Sequence, residues 1–299
     1  MGCKLHSCSG MAASINAFVL DQRTVTTLFS CFSPLFGSRT CGRLALSLVG
    51  LALVLLWPRN DTLADEIVLA SPDYWCPFSC KAGEEKEGFA VDIIRAIFSA
   101  AGHRVRLVNE NYSRALVNVR TGLYTATPST FKEEAPGFVF PELPVSRNRY
   151  CFFALPDSEW RFEGEASLRN RKTGIIRNYS YGEALDPLIQ AHPQWFVVHS
   201  GDNLTERMIR RVALGRMDAF VEEENLVSYS LSTQPGLAMK NVGCTRELYA
   251  YMAISPANPK AAEYAELFSS GLRALHQSGQ LREILARYGI EEWPLPTAP

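Results

Sequence analysis

The chain has 299 residues, with 30 Lys and Arg against 31 Asp and Glu, 47% hydrophobic and 20% charged residues. This near-neutral balance leaves no electrostatic footprint for nucleic acid, and the even spread of apolar residues excludes low-complexity disorder. At about 150 residues per domain the length predicts two compact domains, and eight cysteines are too sparse for a disulfide-dense mini-protein.

Leu44 to Trp57 is a run of 14 uncharged residues, preceded by Arg39 and Arg43 and followed by Pro58 and Arg59. A bilayer span needs about 20 apolar residues, whereas a secretory signal core needs about 7–15. The run therefore predicts export to the periplasm. Thr62-Leu63-Ala64 offers small residues for cleavage, so residues 1–64 form a targeting segment and Asp65 the mature start. The 43 residues before the run exceed an ordinary leader, which predicts a translation start downstream of Met1. Cys41 is poorly placed as a lipid-attachment site.

Beyond Glu66 strand-like and helix-like segments alternate. Ile67–Ala70 suits a buried strand. Phe89–Ala101 carries Phe89, Ile93, Ile94, Ile97 and Phe98 on one face of a helix that Gly102 ends. Val105 and Leu107 alternate with arginines, as in a half-buried strand. A helix is predicted over Tyr112–Arg120, stopped by Gly122, with a strand at Leu123–Ala126. The pattern then repeats: strand Thr173–Ile176, helix Tyr181–Gln190 capped by Ser180, and strand Trp195–Val198. Next come a helix opened by Asn203 with Glu206 at capping-box spacing, and strand Met217–Val221. This grammar implies βαβ units with mostly parallel sheets, flanked by helices.

Two longer apolar strands, Arg149–Leu155 and Leu248–Ser255, join one half to the other. Helices Lys260–Gln277 and Gln280–Tyr288 close the chain. If both long strands cross between lobes, residues 65–150 plus 252–299 form lobe 1 and 151–251 form lobe 2. A double crossing suits a hinge with a ligand between the lobes.

Four stretches now carry a resemblance. They are Asp73-Tyr74-Trp75-Cys76-Pro77-Phe78 with Gly88-Phe89-Ala90-Val91-Asp92, then Thr121-Gly122-Leu123-Tyr124 leading to Phe138-Val139-Phe140-Pro141. The third is Gly215-Arg216-Met217-Asp218-Ala219-Phe220-Val221 before Glu222 and Glu223, and the last runs from Gly271-Leu272 to Ile284. Together, in order, they resemble the amino-acid-type extracellular solute-binding proteins, the periplasmic components of ABC importers. The resemblance implies an α/β fold of two hinged lobes that binds a small polar solute without chemistry, as a monomer serving an ABC permease. No cofactor, nucleic acid, metal or catalytic residue is expected.

The resemblance places Trp75, with Tyr74 beside it, as a ring stacked on the ligand; packing on its own lobe is the plainer alternative. Thr127 and Ser129, in a loop after a strand, fall where such proteins bind the ligand's polar head; ordinary turn chemistry favours the same residues. The Arg that clamps an α-carboxylate in these proteins would lie six residues before Phe140, where this chain has Glu134. A simple α-amino acid is thus in doubt, although an exposed Glu133–Glu134 pair is the plainer reading of the two acids. Arg114, Arg147 or Arg149 are conceivable substitutes. On the second lobe, Asn178 to Gly182 opens a helix whose start could hold an anionic group with Ser180, with Tyr179 and Tyr181 over it. Glu223 falls where an Asp holds a ligand ammonium; an acidic helix start explains it equally.

Without residues 1–64, Cys76, Cys80, Cys151 and Cys244 remain, an even set for an exported protein. Cys76 and Cys80 are near neighbours in one loop and are expected to pair. Cys151 and Cys244 lie near the crossings and are either a second disulfide or free buried thiols. No histidine spacing, nucleophile elbow or phosphate loop is present. The rival functions are a ligand-sensing receptor without import and a small dehydratase-like enzyme on the same fold, using Glu133, Glu134 or Glu223 as acid.

Overall fold

The computed structural model describes residues 64–177, 179–201 and 203–295. The apolar run, the cysteines before it, the start-site and leader readings, and Asn178 lie outside them.

The described chain forms two five-stranded sheets. The first holds β1 (Glu66–Ser71), β2 (Arg104–Asn109), β3 (Ala126–Thr130), β4 (Ser146–Asn148) and β10 (Leu248–Ile254), in the order β2-β1-β3-β10-β4. The second holds β5 (Tyr150–Ala154), β6 (Thr173–Ile176), β7 (Phe196–His199), β8 (Ala219–Glu223) and β9 (Lys240–Cys244), in the order β7-β6-β8-β5-β9. The helices are α1 (Phe89–Ala100), α2 (Tyr112–Arg120), α3 (Asp186–Ala191), α4 (Leu204–Ala213), α5 (Glu224–Ser232), α6 (Ala261–Ser278) and α7 (Gln280–Ala286).

The sheets are mixed rather than mostly parallel. In the first, β1 pairs in parallel with β2 and β3, while β10 runs antiparallel to β3 and β4. In the second, β6 pairs in parallel with β7 and β8, while β5 runs antiparallel to β8 and β9. The physical reason is that β5 and β10 enter their sheets directly from the other lobe. They arrive without the helical crossover that a parallel neighbour requires.

The chain passes between sheets at Arg149, between β4 and β5, and returns over residues 245–247, between β9 and β10. Residues 248–251, placed with the second lobe from the sequence, therefore belong to the first. Leu248, Tyr249 and Ala250 find their ladder partners there, in Asn148, Arg147 and Ser146.

The first core lies between its sheet and helices α1, α6 and α7. The buried face of α1 (Phe89, Ile93, Ile94, Ile97, Phe98) meets Phe268, Leu272 and Leu281, and Trp293 seals the edge. Gly271 permits the approach of α6, since a Cβ there would sit 2.4 Å from Ile97 Cγ2. Gly88 caps α1 at φ 111°, and its N–H donates to the Tyr288 hydroxyl at 3.0 Å. An added Cβ would lie 2.3 Å from the Phe78 carbonyl oxygen, a backbone atom with little freedom to yield. Gly88→Ala is expected to cost about 3 kcal/mol through this clash and the left-handed backbone. Urea unfolding checks it, and a loss below about 0.5 kcal/mol, typical of a neutral surface change, would refute it.

Three sequence expectations shift. The strand expected at Leu123–Ala126 begins only at Ala126 and includes Thr127 to Thr130, which read as a loop. Leu123 is exposed, and Thr125 instead ties the turn to β1: its Oγ1 accepts from the Val68 N–H at 3.0 Å. Pro128 lacks an N–H, and the pairing of β3 with β10 slips between Tyr251 and Ala253 accordingly. The helix expected from Tyr181 starts only at Asp186, because Gly182 at φ 79° breaks the run. Asn203 precedes α4 in a left-handed conformation without a side-chain cap, so the capping box does not form.

Candidate functional site

Trp75 stands in the loop after β1, directly before the turn that Cys76 and Cys80 close by a disulfide. The Phe78 and Ser79 N–H groups both donate to the Trp75 carbonyl, and Trp75 bridges Ser79. The Ser79 hydroxyl is held by Ser71 Oγ at 2.6 Å and the Pro72 carbonyl at 3.0 Å. These bonds fix the backbone that carries the indole. The indole stacks on Phe78 at 4.6 Å and donates through Nε1 to the Tyr179 hydroxyl at 2.9 Å. Trp75 belongs to the first lobe and Tyr179 to the second, so this bond spans the lobes. Neighbouring Tyr74 is 63% exposed.

On the second lobe Tyr179 joins a ring cluster with Tyr150 (6.3 Å) and Tyr181 (5.5 Å). Tyr150 and Tyr181 are buried, and the Tyr181 hydroxyl accepts from the Ile176 N–H at 2.7 Å. Burial holds all three phenols neutral, their pKa values well above the usual range. Phe131 of the first lobe packs against the same cluster.

Glu134 lies on the first lobe's side of this contact. It ends a short 3-10 turn, Lys132–Glu134. Its Oε2 accepts from the Tyr112 hydroxyl at 2.6 Å, which lies 3.3 Å from Thr130 Oγ1, itself 2.6 Å from Thr127 Oγ1. Carboxylate, phenol and two hydroxyls thus form one hydrogen-bonded chain, each bond polarising the next. Burial raises the Glu134 pKa above its ordinary value, with the negative charges of Glu133 and Asp186 adding to it. Only Glu133 of the acidic pair is exposed; Glu134 is partly buried.

The other candidates are placed as follows. Thr127 and Ser129 are buried in β3, and the Ser129 hydroxyl meets Ser146 Oγ at 3.2 Å. Ser146 in turn donates to Asn148 Oδ1 at 2.8 Å. Ser180 donates to Asp186 Oδ2 at 2.9 Å, and the Tyr181 N–H donates to Asp186 Oδ1 at 2.8 Å. The helix start read as an anion site is therefore pre-empted by the chain's own carboxylate, and α3 spans only six residues. Glu223 is fully buried and caps α5. Its Oε2 accepts from the Asn225 and Leu226 N–H groups at 2.7 and 3.0 Å, and Oε1 from Asn225 Nδ2 at 3.1 Å. Adjacent Glu222 accepts from the Glu223 N–H at 2.9 Å and from Thr205 Oγ1 at 3.1 Å; burial pushes its pKa up to about 7.

None of the arginines considered from sequence serves as a free clamp. Arg149 grips Glu224 with two prongs, at 2.6 and 3.2 Å. Arg147 pairs with Glu247 at 3.3 Å, and Arg114 with Glu110 at 3.9 Å. The second cysteine pair forms, joining Cys151 of β5 to Cys244 of β9. Glu224 lies beside them, within 4.8 Å of both sulfurs, but sulfurs bonded to each other offer no thiolate to a metal.

Tyr112, Phe131, Tyr150 and Glu222 escaped the sequence reading as site residues. Tyr112 read only as the first residue of a helix. Tyr150 and Glu222 lie on β5 and β8, where register sets Tyr150 opposite Glu223 and Cys151 opposite Glu222.

No family model matches the chain, and no curated protein matches it. Solved structures do resemble it. A histidine kinase sensor domain with similarity to periplasmic binding proteins is 21% identical over 76% of this chain and 98% of its own, with a TM-score of 0.59. A structure from work on glutathione import via GshT and the cystine ABC importer TcyBC of Streptococcus mutans is 16% identical over 78% and 98%, at 0.63. The probable amino-acid ABC transporter extracellular-binding protein ytmK from Bacillus subtilis is 14% identical over 77% and 100%, also at 0.63. With two mixed sheets flanked by helices and joined by two crossings, the chain has the two-lobed fold of periplasmic-binding-protein-like domains.

Proposed function

We propose that the protein is an exported solute-binding protein that captures a small polar solute between its lobes and delivers it to an ABC importer. The observation that carries this reading is the bond from Trp75 Nε1 to the Tyr179 hydroxyl, because it joins rigid aromatic groups of both lobes at one point. A solute entering there would exchange this bond for contacts of its own, and closure would draw on that difference. Trp75 and Tyr179 are the walls, with Tyr74 exposed beside them. Thr127 acts through Thr130 and Tyr112 on Glu134. Ser129, Ser180 and Glu223 position strands and helix starts, since the protein itself occupies their polar atoms. The arrangement serves binding without chemistry, and the two crossings serve as the hinge. Among the described residues no helix is long and apolar enough to cross a membrane; export rests on the leader.

A metabolite panel read by thermal shift tests the proposal: at least one solute should raise the Tm. Trp75→Ala should weaken that solute about ten-fold or more, by loss of ring contact area, and Trp75→Phe should fall between. Unchanged affinity in Trp75→Ala would remove Trp75 from the site. Similarity to a histidine kinase sensor domain favours a second reading, sensing without import. Retention of a permease by the tagged, solute-loaded protein would support import.

A further inference from the structure

Four carboxylates gather about the contact between the lobes: Glu134 from the first, and Asp186, Glu222 and Glu223 from the second. Among the described residues none of them forms an ion pair; the nearby bridges use Glu224, Glu247 and Glu110 instead. Asp186, Glu222 and Glu223 are engaged on both oxygens by donors of their own lobe. Glu134 differs. Its Oε2 takes the Tyr112 hydroxyl at 2.6 Å and the Phe131 N–H at 3.4 Å, while Oε1 has no hydrogen-bond partner among the described residues.

No basic side chain described here answers that charge. Arg114, Arg147 and Arg149 are paired elsewhere, and Lys132, on the same turn, lies over the Tyr251 ring at 4.1 Å. The charges acting on Glu134 from its own turn and from the opposite lobe are Glu133 and Asp186, both acidic. Phe131, three residues before Glu134, packs on the ring cluster of Tyr150 and Tyr179, to which Trp75 is bonded, and the Glu134 charge acts on Tyr150. A cation gains from a carboxylate and from ring faces together. A ligand carboxylate would meet like charge and no guanidinium fork.

We infer that the solute held between the lobes is a small organic cation without a carboxylate, with Glu134 as its charge partner and the Trp75 and Tyr179 rings as its walls. This assignment rests on the solute-capture reading above.

Two matched pairs test it by calorimetric titration of the full exported chain: cadaverine against lysine, and agmatine against arginine. Within each pair only the carboxylate differs. At least one amine should bind about ten-fold tighter than its amino acid. Glu134→Gln, which keeps the side-chain volume and the Tyr112 bond, should weaken that amine about ten-fold through loss of a charge-assisted bond, while Glu133→Gln should leave it unchanged. The assignment is overturned if the amino acids bind as well as the amines, if neither amine binds, or if Glu134→Gln has no effect. A set of neutral and anionic solutes, including glucose, glutamate and glutathione, separates the two levels. Binding of one of these alone would keep solute capture and discard the cation. Silence across every solute would discard both.

Discussion

Replacing Cys151 and Cys244 together by alanine lowers the unfolding free energy by about 4 kcal/mol, the largest effect expected from any paired change here. The two cysteines are 93 residues apart in sequence. Cross-linking so long a loop removes a large part of the unfolded chain's freedom, about 4.7 kcal/mol in the chain-entropy account for a loop near 100 residues. Cys76 and Cys80 are only four apart, and the same account grants them about 2 kcal/mol. Position adds to the first effect. Cys151 lies two residues after the outward crossing at Arg149, and Cys244 ends β9 just before the return. The bond therefore ties together the strands by which the chain enters and leaves the second lobe. Alanine is chosen because Cys151 is fully buried and a serine hydroxyl would add a desolvation cost. Urea unfolding with and without reductant checks the expectation: with both proteins reduced, which opens Cys76–Cys80 in each, the wild type should come close to the double variant. A difference below about 1 kcal/mol between the oxidised proteins would overturn it, since even modest native disulfides contribute more.

Glu222→Gln should stabilise the protein at pH 8 by about 3 kcal/mol and leave it nearly unchanged at pH 4.5. Glu222 is fully buried, and its pKa rises from an ordinary 4.5 to about 7. Burial is the main cause; the bonds from the Glu223 N–H and the Thr205 hydroxyl act in the other direction. A folded pKa above the unfolded one means that folding favours the protonated acid. Its contribution is fully present below about pH 4.5 and is lost as pH rises through about 7. A glutamine has no charge to expel. Its carbonyl can still accept from the Glu223 N–H, and its amide can donate to the Thr205 hydroxyl. Unfolding free energies at pH 4.5, 6 and 8 supply the check. The wild type should lose stability across this range and the variant should lose less. Equal destabilisation of the variant at every pH would show that the Glu222 bonds, not its charge, govern the site. Glu223 and Glu134, also raised by burial, leave a residual slope of the same sign in the variant.

The glutamates show where sequence legibility stops. Glu133 and Glu134 are the same letter twice. One is exposed, while the other turns toward Tyr112, 22 residues earlier, and feels the second lobe through Asp186. Spacing from Phe140 drew attention to Glu134, but only the contact between the lobes separates it from its neighbour. Thr127-Pro128-Ser129-Thr130 reads as turn chemistry by composition. It is a buried strand because β1 and β10 flank it on both sides.

The sequence by itself determined the elements whose signal is local. Apolar period produced α1, α2, α6 and α7, and glycines at Gly102, Gly122 and Gly279, all with positive φ, ended helices where expected. The four cysteines beyond residue 64 pointed to the Cys76–Cys80 disulfide and left Cys151 and Cys244 open, a pair that the structure closes, and two apolar strands located the crossings to within a few residues. The tertiary structure alone decided the strand directions, the late start of α3, the pairing of every candidate arginine, and which acids are buried. Helical period and turn propensity act over a few residues, whereas register, ion pairing and desolvation are set by partners tens of residues away.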